Sequence, residues 1–273
     1  MATVSALVSV YHRVQPEELR LSLASLLSQT HPLDAIVIVE DGPLSPKLQQ
    51  VIGDHVEQSG GIARTVVLAM NQGAGPARRA GINTIDTDFV AILDADDIAA
   101  DDRIAKQLAF FAAHPQLDVV GTAVAEFEDD PRTSTNVRVL PADHAAIARY
   151  AKMNSPINNP SVMMRTAKVK EVGNYRDVHH MEDYDLFARL LAHGAKFANM
   201  PEPLTFFRVT PAQFQRRTGS EMLQAEWRMQ RNLYAYGLIS WPRVFFNVLV
   251  RTTYRLLPKA ALHRVYAMLF HAK

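Results

Sequence analysis

The chain contains no cysteine, which excludes disulfides, cysteine zinc sites and thiol catalysis. It also lacks any run of about 18 uncharged apolar residues, so no transmembrane helix is expected. The first apolar run, Ala6 to Val10, has no basic start and meets His12-Arg13 at once, so no signal peptide is expected either. Internal repeats and low-complexity segments are absent. Aromatic residues are scarce at 8%, but 48% apolar and 21% charged residues in 273 describe an ordinary globular chain with a sizeable core. That length suits one large domain, or one with a small annex. What the last quarter lacks is acid. From Leu204 to Lys273 there are 11 Lys and Arg against Glu221 and Glu226, a balance of +9. The overall +1 therefore hides a body at −8. A basic segment of this kind is either a solvated helical face or a surface for phosphates or anionic lipid.

The first half alternates apolar runs with helical periodicity. Strands are expected at Ser5 to Val10, Ala35 to Val39, Thr65 to Ala69 and Phe89 to Leu93. Helices are expected at Pro16 to Ser28, Pro46 to Gln58 and Gly75 to Thr84. This alternation implies βαβ units and a mainly parallel sheet flanked by helices, a Rossmann-like α/β architecture. Further helices are expected at Asp102 to His114, Pro141 to Lys152 and Met181 to His193, the last stopped by Gly194. Val119 to Phe127, Ser161 to Met164 and Phe206 to Val209 read as strands. From Ser220 onward the pattern is helical and basic, with Trp241-Pro242 between two segments and further helices over Arg243 to Leu257 and Ala260 to Phe270.

Polar residues gather after the carboxyl ends of the expected strands, where open α/β sheets bind ligands. Asp94-Ala95-Asp96-Asp97 follows the fourth strand. Two carboxylates one residue apart suit a hard divalent cation whose shell a diphosphate completes. An acidic turn capping the next helix through Asp97 is the other reading. Glu40-Asp41-Gly42 follows the second strand, where an acid can accept from a base or ribose, or simply form a turn. Asn71 to Gly81 places glycines and Arg78 at a helix start. Its spacing is neither a dinucleotide fingerprint nor a Walker motif. Glu182-Asp183-Tyr184-Asp185 opens a helix, either as capping acids or as the home of a general base.

In this order, together with Val8-Ser9-Val10-Tyr11 and Gln29-Thr30, these segments resemble the family 2 glycosyltransferases of GT-A fold over about residues 4 to 210. The resemblance implies a catalytic domain over 1–210. Residues 1–100 would form its nucleotide-sugar half, 101–210 its acceptor half and 211–273 a helical extension. It implies nucleotide contacts from Val10, Tyr11, Glu40, Asp41, Arg78 and Asp94, with Glu40 standing where Asp is more usual and Arg79 where Asn is. Asp94 and Asp96 would hold Mn²⁺ or Mg²⁺. His144, His179 and His180 are candidates for a third ligand. Asp183 would be the catalytic base, with Glu182 beside it toward the acceptor. Arg208, Arg216, Arg217 and Ser220, after the last strand, are candidates for diphosphate binding because Arg matches phosphate geometry. The implied reaction is transfer from a nucleotide-diphosphate sugar, a UDP-sugar above all, to a saccharide hydroxyl with inversion. A catalytically inactive nucleotide-sugar-binding protein is the alternative. A sugar-1-phosphate nucleotidyltransferase would need a Gly-rich basic loop where Tyr11-His12-Arg13-Val14 stands.

The basic segment is similar to that of bacterial exopolysaccharide and capsule glycosyltransferases of the amylovoran type. That similarity implies a lipid-diphosphate-linked acceptor and a cytoplasmic enzyme, peripheral on the inner face of the membrane. Phe245, Phe246, Val248, Leu249 and Tyr254 with Arg243, Arg251, Arg255 and Lys259 fit an interfacial helix. Packing on the catalytic domain or a dimer contact fits the same pattern. Scattered cations among many apolar residues favour lipid over nucleic acid.

Overall fold

Four strands with near-continuous apolar sequence, alternating with three helices, open the chain. They are β1 (Val4–Val10), α1 (Pro16–Leu27), β2 (Ala35–Asp41), α2 (Pro46–Gln58), β3 (Ala63–Leu68), α3 (Ala74–Asn83) and β4 (Phe89–Asp94). This computed structural model describes residues 2–134, 136–210 and 220–256. β1 is buried along both faces, as its unbroken apolar run requires. Val4, Ala6 and Val8 join Leu19, Leu23 and Leu48 of α1 and α2 on one side. On the other side Leu7 meets Ala77 and Ile82 of α3. The sheet is thus the middle of three layers.

All four strands are parallel, in the order β3-β2-β1-β4. The chain runs outward from β1 to β3 and then returns to pair β4 with the other side of β1. That reversal is a topological switch point, and it opens a crevice beyond the carboxyl ends of β1 and β4. The register sets Ser9 opposite Asp94, so the acidic turn after β4 stands beside Tyr11.

Beyond β4 come β5 (Ile98–Ala99), α4 (Arg103–Ala113), β6 (Val119–Phe127), β7 (Asn136–Arg138), α5 (His144–Tyr150), β8 (Met163–Arg165), α6 (Thr166–Glu171), α7 (Glu182–Ala192) and β9 (Phe197–Arg208). The sheet continues as β4-β8-β6-β9-β5, with β7 on β6. Here pairing is mixed: β8 runs antiparallel to β4 and β6, while β6 and β9 are parallel. The sheet is therefore parallel only in its first half. β9 is far longer than the expected Phe206 to Val209. Pro201 and Pro203 fall inside it, and the β6–β9 register slips around Ala123 and absorbs them. Helix α7 closes as expected at Gly194 (φ +81°), where Ala195 N–H donates to Leu190 O (3.0 Å).

Two helices follow, α8 (Ser220–Ala235) and α9 (Trp241–Leu256). Trp241-Pro242 starts the second, where a proline costs no hydrogen bond. Met222, Met229 and Leu233 of α8 and Val244 of α9 pack against Met181, Tyr184 and Ala188. The pair thus shares a core with the helix that carries Glu182 and Asp183. The helix expected at Ala260 to Phe270 lies outside the described residues.

Candidate active site

A cavity of about 1080 Å³ occupies the crevice. Tyr11, Arg78, Asp94 and Asp96 line one side, and Glu182 and Asp183 another. Segments far apart in sequence converge here because β1 and β4 end, and α3 and α7 begin, at the same sheet edge.

Arg78 is the hub. Its guanidinium donates to Asp94 Oδ1 (2.7 Å) and to Glu182 Oε1 (3.2 Å) and lies 5.7 Å from the Tyr175 ring centre. Burial alone would lower its pKa. The charges of Asp94, Tyr175, Glu182 and Asp183 outweigh burial and raise it, so the cation is secured. Gly75, one turn earlier, lets α3 approach this close, because a Cβ there would overlap Arg176 O. Asp183 accepts from its neighbour's N–H, Tyr184 N, at 2.7 Å. Burial first, and then Glu182, push its carboxyl up to about 6, against the pull of Arg78. A half-buried acid that titrates near neutrality suits proton abstraction.

The Asp94 to Asp97 turn is braced from behind. Asp97 is fully buried, and its Oδ1 accepts from Arg208 N (2.8 Å). It does not cap α4, whose N-cap is Asp102. Burial, and then Asp96 and Asp94, hold the Asp97 carboxyl well above its usual range. Arg208 donates to Asp96 O (3.1 Å) and Glu128 O (3.0 Å) and stacks on Phe127. It is buried at the end of β9 and does not line the cavity. Its donors hold the turn's backbone. Arg216 and Arg217 lie outside the described residues, and Ser220 opens α8.

Val10, Glu40 and Asp41 also stand off the cavity wall. Val10 is buried in β1 and registers with Glu40, whose carboxyl burial pushes up. Asp41 accepts from Gln72 N (2.7 Å), Gly73 N (3.0 Å) and Asn71 Nδ2 (3.0 Å). It thereby shapes the loop that leads into α3, and Gly42 (φ +82°) leaves room for Asn71. Gln29, just after α1, ties that helix to the start of α4: its side chain donates to Ala100 O (2.8 Å) and accepts from Ile104 N (3.1 Å). Of the three histidines, only His180 lines the cavity. His144 sits on α5, with Nδ1 near Phe197 N.

The far wall went unread in the sequence. Arg138, Tyr150, Asn154, Asn159 and Phe207 line it, and so does Met222 from α8. The Asn/Pro-rich stretch at 155–160 was the available signal. It is held by Arg103, a buried guanidinium that donates to Pro160 O (2.8 Å), Ile92 O (2.9 Å) and Val162 O (3.2 Å).

Asp94 Oδ1 is taken by Arg78, and Oδ2 has no hydrogen-bond partner among the described residues. No cluster of three or more His, Cys, Asp or Glu suited to a metal exists among the described residues. Two carboxylates beside a large open cavity fit a hard ion whose remaining ligands come from a substrate diphosphate and water.

Known proteins resemble this chain in sequence and in fold. The family model described as Glycosyl transferase family 2 matches residues 5–173. An uncharacterized glycosyltransferase of Haemophilus influenzae is 33% identical over 96% of this chain and 97% of its own. The amylovoran biosynthesis glycosyltransferase AmsE of Erwinia amylovora is 32% identical over the same shares. The UDP-Gal:alpha-D-GlcNAc-diphosphoundecaprenol beta-1,3-galactosyltransferase of Escherichia coli is 29% identical over 96% of this chain and 94% of that one. Among solved structures, S. aureus TarS 1-349 in complex with UDP-GlcNAc superposes with a TM-score of 0.65. It is 16% identical, covering 84% of this chain and 66% of that one. The mannosyltransferase PcManGT from Pyrobaculum calidifontis, in complex with GDP-Man and Mn²⁺, gives 0.62 at 14% identity, over 97% and 83%. The likenesses to solved structures establish the GT-A fold.

Proposed function

The chain belongs to glycosyl transferase family 2 and is a glycosyltransferase, and we propose that it moves a sugar with inversion from a UDP-sugar to a hydroxyl of a lipid-diphosphate-linked saccharide in bacterial surface polysaccharide synthesis. One observation carries this reading. Arg78 joins Asp94 of the β4 end to Glu182 of α7, so the donor-side acids and Asp183 border one cavity. The uridine donor and lipid-linked acceptor are supported by the printed activity of the E. coli relative.

Asp183 takes the proton of the acceptor hydroxyl. The hydroxyl oxygen bonds to the anomeric carbon as the bond from that carbon to the diphosphate oxygen breaks, and the electron pair leaves with the nucleotide. Glu182 lies beside the base and is held by Arg78, so it orients the acceptor. Asp94 and Asp96 would hold Mn²⁺ or Mg²⁺, which when bound neutralises charge on the diphosphate. Arg78 adds a fixed positive charge behind Asp94. The two-carboxylate scheme of glycosidases does not apply, because a diphosphate leaves without an acid.

The test is Mn²⁺-dependent turnover across a panel of nucleotide sugars. Asp96→Ala should abolish it while the fold, followed by circular dichroism, is kept. Wild-type turnover in that variant would remove the metal assignment. Thermal protection by a nucleotide sugar without turnover would favour an inactive nucleotide-sugar-binding protein, and absence of both would favour a scaffold.

A further inference from the structure

The two C-terminal helices carry most of the molecule's exposed apolar surface. Of twelve large hydrophobic residues exposed among the described ones, eight lie on α8 and α9: Leu223, Trp227, Tyr234, Trp241, Phe245, Phe246, Leu249 and Val250. Both tryptophans of the chain are among them. Aromatic rings run across the seam between the helices. Tyr234 and Trp241 have centroids 4.7 Å apart, Trp241 and Phe245 5.9 Å, and Phe245 and Trp227 6.3 Å. A contiguous apolar face of this kind marks an interaction site.

Its edges are cationic. With 3.6 residues per turn, Arg231 and Arg228 flank the stripe of Leu223, Trp227 and Tyr234 on α8, and Arg243 flanks that of Phe246 and Val250 on α9. All three arginines are exposed, and none has an ion-pair partner among the described residues. Glu226, by contrast, is buried and bonded to Arg251.

We propose that this face docks on an anionic lipid bilayer, with the aromatic seam at headgroup level and the arginines on lipid phosphates. Charge selects this occupant. A two-fold contact with a second copy would set the same arginines against each other, with no exposed acid among the described residues of α8 and α9 to pair them. An anionic surface meets them favourably, and Trp and Tyr suit a boundary that is apolar on one side and wet on the other. The face differs from the single helix expected from sequence. Val248 is half-buried, and Arg251 turns inward to Met153 O and Asn154 Oδ1 (2.7 Å). Met222, on the opposite side of α8, lines the cavity. The acceptor side of the cavity therefore lies about one helix diameter, ~10 Å, behind the docking face. This proposal shares with the proposed function only the lipid-borne acceptor.

The experiment is flotation of the full chain with vesicles of phosphatidylcholine alone or mixed with phosphatidylglycerol. Binding is expected only to the mixed vesicles and should weaken with salt. Phe245→Ser/Leu249→Ser should abolish it, and each of Arg228→Gln and Arg231→Gln should weaken it about fivefold. Unchanged melting, and unchanged turnover on a water-soluble acceptor, would show that the variants are folded. Failure of the wild type to float, dimers in sedimentation that Phe245→Ser/Leu249→Ser dissolves, or binding by that variant equal to wild type would each overturn the proposal. Flotation without turnover on any nucleotide sugar would leave this surface standing and remove the proposed reaction.

Discussion

The rim of the cavity and the C-terminal helix pair handle charge in opposite ways. At the rim, Arg78 is fastened between Asp94 and Glu182, and the acidic turn is braced by Arg208. On α8 and α9 the buried polar groups point inward: Asn247 donates to Lys152 O (2.7 Å) and Gln230 Oε1 (2.7 Å), and Arg251 reaches Glu226. Among the described residues, no carboxylate pairs with the outward Arg228, Arg231 or Arg243. Fixed, paired charges suit a site that must meet a reacting group without reorganising. Unpaired charges around an apolar face suit a partner that supplies the counter-charge.

The sharpest way to break the rim is Asp183→Asn. Loss of a general base should lower kcat by about 10²–10⁴ with donor binding kept. In the wild type, kcat should fall about tenfold per pH unit below about 6, the value to which the Asp183 carboxyl is raised. The stability effect has the opposite sense. A raised carboxylate pKa favours the folded state below its unfolded value, and that advantage is lost as pH rises toward 6. Asp183→Asn should therefore be more stable than wild type at pH 8 by about 1 kcal/mol in urea melts. Retained transfer by this variant would remove Asp183 as the base.

Arg78→Gln should cost about 1–3 kcal/mol, because it leaves Asp94 and Glu182 without their shared cation in a mostly buried setting. A loss as small as that of Arg20→Gln, an exposed pair on α1, would mean the hub contributes little. The smallest effect belongs to the helix pair. Asn247→Ala removes the donor to Lys152 O at the start of the cavity-lining segment 152–154 and should raise the acceptor KM a few-fold, about 1 kcal/mol, while leaving the donor KM unchanged. A shift in the donor KM instead would place the helix pair's influence on the wrong side of the cavity.

Much of the rim was legible because its residues sit where strands end. Asp94-Ala95-Asp96-Asp97 follows an apolar run, and a strand's end fixes where the next side chains stand. Their partners were less legible. That Arg78 meets Glu182 spans 104 residues, and no local pattern encodes such a contact. Asp97 read as a helix cap because acids before helices commonly cap them; a long-range hydrogen bond from Arg208 N takes it instead. Arg208 read as a phosphate ligand because nothing local shows that β9 buries it.

The amino-acid sequence by itself determined the βαβ alternation, the positions of the acidic turns and the +9 segment, because strand burial, helical period and charge are local properties. Tertiary structure alone decided which of those charges meet. Packing α3 and α7 at the switch point closed Arg78 onto two acids, and packing α8 against α7 turned one side of a basic helix pair inward and left the other bare. Both outcomes depend on which faces find an apolar partner, and that is settled only when distant segments compete for the same core.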